Sequence, residues 1–311
     1  MTTSVRIIFI GSGELGLPAL ERLAPEVCGV VTAPDKPAGR GLKTFPTPVK
    51  TLALSLGLPV IETENINAAE IIAKLQSFRP EIILVAAFGQ MLKKEVLEIP
   101  QKGVFNIHPS LLPKYRGAAP VEHTILNQEQ ETGVTIIRVT RKMDAGPILA
   151  QEKTAVRPDE DTPSLSRRLA EIGAEMAVKG LKQAAEGTAA LKPQDERAAT
   201  YAAKITKGDG RIDWTKDAAE ISARIRAFIR WPRAYTFCHG KEIIIYGARP
   251  VNETAPLAKP GVVLMADTAG IRVACGKGAL LLTELQAAGK KRLPAADFIR
   301  GFRFTEKTVL G

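Results

Sequence analysis

Short apolar runs alternate with stretches of helical spacing through the first half of the chain. Residues 5–10, 27–32, 81–87 and 103–107 are the clearest runs, rich in Val and Ile and bounded by polar or turn residues. Such runs read as strands buried on both faces. Between them, residues 14–23, 50–56, 68–78 and 119–126 carry apolar positions at helical spacing, and 59–61 reads as extended. Residues 134–139 and 148–156 add further strands. Residues 162–186 read as one long amphipathic helix, with Asp161 or Thr162 as N-cap and Gly187 as its stop. Strand–helix alternation of this kind predicts an α/β unit with a Rossmann-like, mostly parallel sheet and right-handed crossovers.

The pattern changes after residues 188–204, which are polar and weakly periodic and read as a linker. A helix is expected over 218–228. Five short apolar runs follow, at 234–238, 242–248, 261–265, 271–275 and 279–286, separated by Gly- and Asn-containing turns. Closely spaced short strands predict a small OB-like β-barrel. The expected organisation is therefore an α/β domain over 1–187, a linker over 188–204 and a barrel domain over 205–311.

Composition narrows the class. Of 311 residues, 45% are hydrophobic and 24% charged, which excludes disorder as the main state. No apolar run approaches the roughly 20 residues that span a bilayer, and the N-terminus lacks a signal-peptide pattern. Cys28, Cys238 and Cys275 form no paired framework, so a cytoplasmic protein without disulfides is expected. Three histidines make a His-rich metal site improbable, and no metal is expected. Charge adds more: 43 Lys+Arg face 33 Asp+Glu overall, but 19 face 10 within residues 204–311. Nearly all of the +10 excess sits in the last third, as a surface for a polyanion would require, and nucleic acid is the commonest polyanion.

The densest chemistry lies at residues 106–113, Asn-Ile-His-Pro-Ser-Leu-Leu-Pro, which follow an apolar run. Asn106 and His108, two residues apart on a strand, point to the same face. At the C-terminal end of such a strand that face opens into the cleft where α/β sheets bind ligands. Asp144 is a carboxylate that can partner them. An amide, an imidazole and a carboxylate suffice for acyl-group chemistry at an amine.

Gly11-Ser12-Gly13-Glu14-Leu15-Gly16 also matches the dinucleotide-binding pattern, with Asp35 following. A nicotinamide-dependent oxidoreductase is thus the alternative reading. Two details weigh against it. Asp35 lies beyond Pro34 in a loop, and Glu14 places negative charge where a pyrophosphate would sit. A tight turn needing small residues is the reading preferred. The loop over 32–50 carries Lys36, Arg40, Lys43 and Lys50 against Asp35, and its length suggests a functional segment.

Taken together, these residues resemble the folate-dependent formyltransferase family. The likeness runs through 9–20, 33–50, 85–93, 106–121 and 131–149, then Ile212-Asp213-Trp214, Arg226-Ala227-Phe228 and 256–292. The Pro-Ala-Gly-Arg-Gly loop and the basic C-terminal part set it apart from the shorter members that act on glycinamide ribonucleotide. The resemblance implies formyl transfer from 10-formyltetrahydrofolate, a reduced folate, to the free amino group of initiator methionyl-tRNA. It implies Asn106, His108 and Asp144 as catalytic residues, with Asp144 fixing the imidazole tautomer. Ser110, Leu111, Leu112 and Pro113 would bind the folate, with Phe88, Gly89, Gln90, Met91 and Leu92 completing its pocket. Arg40, Lys36, Lys43, Arg224, Arg226, Lys290, Lys291 and Arg292 would bind the tRNA. A monomer is expected.

Overall fold

The computed structural model describes residues 5–38, 43–251, 258–305 and 308–311, with the backbone alone at 37, 38 and 43. The chain divides into two compact units. The first comprises Met1–Pro120, Glu131–Ala155 and Ser166–Ala203; the second comprises Val121–Gln130, Val156–Leu165 and Lys204–Gly311.

The first unit is built on seven strands: β1 (Ile7–Gly11), β2 (Val27–Thr32), a small hairpin β3 (Lys36–Ala38) and β4 (Lys43–Phe45) outside the sheet, then β5 (Val60–Glu62), β6 (Ile82–Ala86) and β7 (Gly103–His108). A two-residue strand β8 (Arg116–Gly117) precedes β9 (Glu131–Arg138) and β10 (Ile148–Ala155), and β11 (Tyr201–Ala202) pairs with β8. The sheet order is β10-β9-β7-β6-β1-β2-β5. The run β5-β2-β1-β6-β7 is parallel, as the unbroken apolar runs predict. β9 and β10 pair antiparallel, a direction that apolar spacing does not encode. The order reverses between β1 and β6, so the crossovers leave a crevice beyond the strands' C-terminal ends.

Both faces of the sheet are covered. On one, Ile8, Ile10, Ile83, Val85 and Val104 form a core with Ile71 and Leu75 of the helix Ala69–Ser77. Asn106 and His108 continue the Val104 row beyond this core. On the other face lies the long helix Thr162–Glu186, where a Cβ at Gly173 would stand 2.7 Å from Ile107 Cγ2. Glycine there lets the helix backbone settle directly onto β7. At that helix's start, Asp161 caps: its Oδ1 accepts from Ser164 N–H at 2.9 Å, while Ser164 Oγ accepts from Asp161 N–H at 3.0 Å. Asp161, of the two candidates, therefore caps the helix. Among the described residues no helix is long and apolar enough to cross a membrane.

The glycine-rich turn is explained by packing. A Cβ on Gly11 would lie 2.5 Å from Ala86 O, and one on Gly16 would lie 2.7 Å from the Phe9 ring. Gly13, the position that must stay bare for a pyrophosphate, would set a Cβ 3.1 Å from Ala87 Cβ, so protein rather than open space faces it. Asp35 is committed elsewhere, accepting from Lys50 Nζ at 2.8 Å; Lys50 also pairs with Glu62 at 2.8 Å. These two carboxylates, Asp35 foremost, raise the Lys50 pKa. The oxidoreductase alternative finds no support in this turn.

The second unit holds an antiparallel sheet ordered β12 (Ala234–Cys238), β13 (Lys241–Val251), β16 (Ala279–Ala287), β15 (Gly270–Ala274) and β14 (Val263–Asp267), with β17 (Leu293–Pro294) also on β16. Helix Ala218–Ala227 contributes Ile221 and Ile225 to a core with Trp214, Ile243, Ile245, Leu280 and Phe298. Trp214 Nε1–H donates to Thr236 Oγ1 at 2.9 Å, which satisfies the only polar atom of a buried indole. Segment 156–165 is stitched to that helix by Thr162 Oγ1–H donating to Ala227 O at 2.7 Å.

Gly11→Ala should destabilise the protein by about 1–3 kcal/mol, because the new methyl meets strand backbone rather than a movable side chain. Chemical denaturation of the variant checks this. An unchanged midpoint would mean that the turn is not close-packed.

Candidate active site

β7 ends at His108, and the chain doubles back so that Tyr115 returns beneath the imidazole. His108 is 4% exposed, and its Nε2 lies 2.9 Å from the Tyr115 carbonyl oxygen. A carbonyl only accepts, so Nε2 carries the hydrogen and Nδ1 is the ring's proton-accepting nitrogen. Nδ1 faces Asp144 Oδ2 at 3.7 Å, near enough for a charge interaction but too long for a hydrogen bond. Tyr115, rather than Asp144, therefore sets the tautomer. This corrects the expectation from sequence, which could not foresee a carbonyl closing back under the ring. Asp144 is held in turn: its Oδ2 accepts from Gly117 N–H at 2.9 Å, and its backbone takes the left-handed conformation at φ 48°.

Asn106, His108 and Asp144 line one cavity of about 380 Å³, a volume suited to a small organic ligand. Its position matches the crevice of the reversed strand order. Among the described residues the Asn106 side-chain amide has no protein hydrogen-bond partner, so its N–H groups are available to whatever enters. Phe88, Gly89, Gln90, Met91 and Leu92 all line the same cavity. A Cβ on Gly89 would meet nothing within 4 Å, so the glycine leaves open space there. Gln90 turns partly away, accepting from Ile66 N–H through Oε1 at 2.9 Å.

Residues 110–113 are placed differently. The lining passes from Pro109 to Gly117 without them. Ser110 is fully buried, donating through Oγ–H to Lys114 O at 2.7 Å, and Leu112 N–H donates to Thr135 Oγ1 at 3.1 Å. Gln151 Nε2–H donates to Leu112 O at 2.8 Å. Ser110, Leu111, Leu112 and Pro113 thus form the turn that packs on β9 and β10 and carries Tyr115 to the histidine.

The cavity also has walls that the sequence reading missed. Ile137, Val139, Thr140, Lys142 and Met143 line it, delivered by β9 and the loop after it. Met91 and Met143 are each about half exposed, at 53% and 50%, which makes them adaptable apolar surfaces at the mouth.

The expected cations divide by what engages them. Arg226 Nη1–H donates to Glu160 O at 2.8 Å, and burial holds its pKa below the usual arginine value. Arg224 donates to Asp209 O and lies 5.6 Å from the Phe228 ring centre. Arg292 pairs with Glu284 at 2.5 Å and sits 4.3 Å from the Tyr246 ring centre. Lys36, Lys290 and Lys291 are exposed. Arg40 and the side chain of Lys43 lie outside the described residues. Among the described residues no group of three His, Cys, Asp or Glu side chains could hold a metal ion.

Residues 7–181 match the formyl transferase family, and residues 204–303 match the formyl transferase C-terminal domain. A Roseiflexus castenholzii protein named methionyl-tRNA formyltransferase is 46% identical over 99% of both chains. One of the same name from Geobacter sulfurreducens is 41% identical over 99% of this chain and 97% of its own. Among solved structures, HypX from Aquifex aeolicus in complex with tetrahydrofolic acid superposes with a TM-score of 0.67 at 20% identity, over 96% of this chain; the chain spans about half of that protein, 47%. The sugar 3N-formyl transferase WlaRD superposes equally, at 0.67 and 20%, over 93% of this chain and 100% of its own. At such identities these structures speak for the fold alone. With two family matches across its length and relatives above 40% identity end to end, the chain belongs to the formyl transferase family.

Proposed function

We propose that this protein transfers the formyl group of 10-formyltetrahydrofolate to the amino group of methionyl-tRNA, making N-formylmethionyl initiator tRNA. One observation carries the reading: an unpartnered amide, an imidazole with its Nδ1 lone pair available, and a carboxylate share one cavity at the sheet's switch point. The names of the full-length relatives supply the acceptor. The solved neighbours carrying reduced folates support the donor.

The chemistry follows from the geometry. The neutral amine attacks the formyl carbon, forming a C–N bond and a tetrahedral centre whose oxygen carries negative charge. The Asn106 amide N–H stabilises that oxyanion, the kind of donor whose loss raises a barrier by about 3–4 kcal/mol. His108 Nδ1 takes the amine proton, and the resulting imidazolium is stabilised by Asp144 at 3.7 Å. Collapse breaks the bond between the formyl carbon and the folate nitrogen, and the proton passes to that nitrogen. Transfer is direct, with no covalent enzyme intermediate. Residues 88–92 hold the folate, and residues 110–113 act on the site by fixing Tyr115 under His108. We read the antiparallel unit as an OB-type barrel. The register shifts of β13 between Ile245 and Ala248 support this, since bulges bend strands in that way. Lys290 and Lys291, exposed beside β16, are its tRNA contacts.

Two outcomes test the reading. Asn106→Ala should lower formyl transfer to Met-tRNA by about 10²–10³-fold with the fold intact. A folded variant at near-normal rates removes Asn106 from the mechanism. For Lys290→Glu/Lys291→Glu, tRNA affinity should fall and the log–log salt slope should shrink by about 2, with folate binding unchanged. Filter binding across a salt series measures this, and an unaltered slope would move the contact elsewhere.

A further inference from the structure

We infer that Gln194 is a positioning residue for Asp144, and that through it the buried Arg116 sets the catalytic carboxylate. The inference rests on the reading of Asp144 given above. Residues 188–204 read from sequence as a linker, yet Gln194 makes four hydrogen bonds within the first unit. Its Nε2 donates one hydrogen to Asp144 O at 2.8 Å and the other to Gly146 O at 2.7 Å. Its Oε1 accepts from Arg116 Nε at 3.1 Å and from Arg116 Nη2 at 2.8 Å. Both donors and both lone pairs of the amide are used, so its orientation is uniquely determined. A reversed amide would set oxygen against two carbonyls and N–H groups against a guanidinium.

The need for such a clamp is local. Asp144 is a non-glycine residue at φ 48°, a conformation that persists only when its surroundings impose it. Gln194 grips the carbonyls on both sides of Ala145, holding the turn from behind. Arg116 is 1% exposed and is secured by Glu196 through Nη2 at 2.9 Å and Nη1 at 3.2 Å. Glu196 is the main cause of the raised Arg116 pKa. The next residue, Gly117, donates its N–H to the Asp144 carboxylate at 2.9 Å. One dipeptide therefore holds Asp144 at both ends: Arg116 holds its backbone by way of Gln194, and Gly117 holds its side chain. Loss of Gln194 frees the turn and lets the carboxylate drift from His108 Nδ1.

Gln194→Glu separates this role from a merely structural one. The new carboxylate can still accept from Arg116 but has no hydrogen for Asp144 O or Gly146 O. If Gln194 only satisfied a buried guanidinium, glutamate would serve as well. Steady-state formyl transfer by the parent and the variant, with thermal melting of each, makes the test. In a folded Gln194→Glu protein we expect kcat about 10–100-fold lower, as small misplacements of catalytic groups cause. KM for both substrates should stay within about threefold, the signature of an interaction expressed in the transition state. Should Gln194→Glu fail to melt as a folded protein, Gln194→Met takes its place with the same expected split. A folded variant that keeps the parent's kcat, or that changes KM alone, overturns the inference. A parent chain that transfers no formyl group overturns the functional reading itself, and this inference with it.

Discussion

One hydrogen bond gives the centre its polarity: His108 Nε2–H to the carbonyl of Tyr115, at 2.9 Å. It spends Nε2 on the protein and leaves Nδ1 facing Asp144. To make it, the chain must double back within seven residues. That return is why Ser110 and Leu112 are buried, why Leu112 is tied to Thr135, and why Arg116 and Gly117 arrive beside Asp144. The segment that looks in sequence like a ligand-binding loop is first of all the device that orients an imidazole. Its two leucines lie off the cavity wall, in the turn that carries Tyr115 under the histidine.

The same economy appears in how the chain is shared between its compact units. The second unit takes two excursions, Val121–Gln130 and Val156–Leu165, out of the sequence that precedes residue 166. The first unit takes back residues as far as Ala203, and β11 pairs with β8, whose Gly117 donates to Asp144. Cation placement follows this logic. Arg226 and Arg116 are absorbed into packing, where a planar guanidinium can satisfy several acceptors at once. Lysines 290 and 291 stay exposed at a turn. A basic sequence is therefore a poor count of basic contacts, since arginines in particular are recruited to the interior.

Much of the architecture was legible in the chain. The parallel strands β1, β2, β6 and β7 could be read because a strand covered on both faces must be apolar throughout, whatever its neighbours. Asn106 and His108 could be read because a period of two places them on one face at a strand's end. The glycines at 11 and 16 fit a tight turn in sequence, though their pattern also fits a dinucleotide site; the packing of Gly13 on Ala87 and the pairing of Asp35 with Lys50 weigh against the second. The β3–β4 hairpin and the antiparallel sense of β9 and β10 escaped, because pairing direction is a relation between segments and leaves no periodic trace in either.

Local patterning by itself thus determined which segments become strands and helices, which faces are apolar, and that Asn106 and His108 share a face at a strand's end. Tertiary structure alone decided how the polar groups of the cavity are oriented. The Tyr115 carbonyl fixed the histidine's tautomer, and the Gln194 amide, 50 residues from Asp144, came to bond the carbonyl of that residue's left-handed turn. Both decisions are hydrogen bonds to backbone carbonyls. Every residue carries such a carbonyl, so no residue type marks in advance which one will matter, and only the folded chain brings the chosen donor to it.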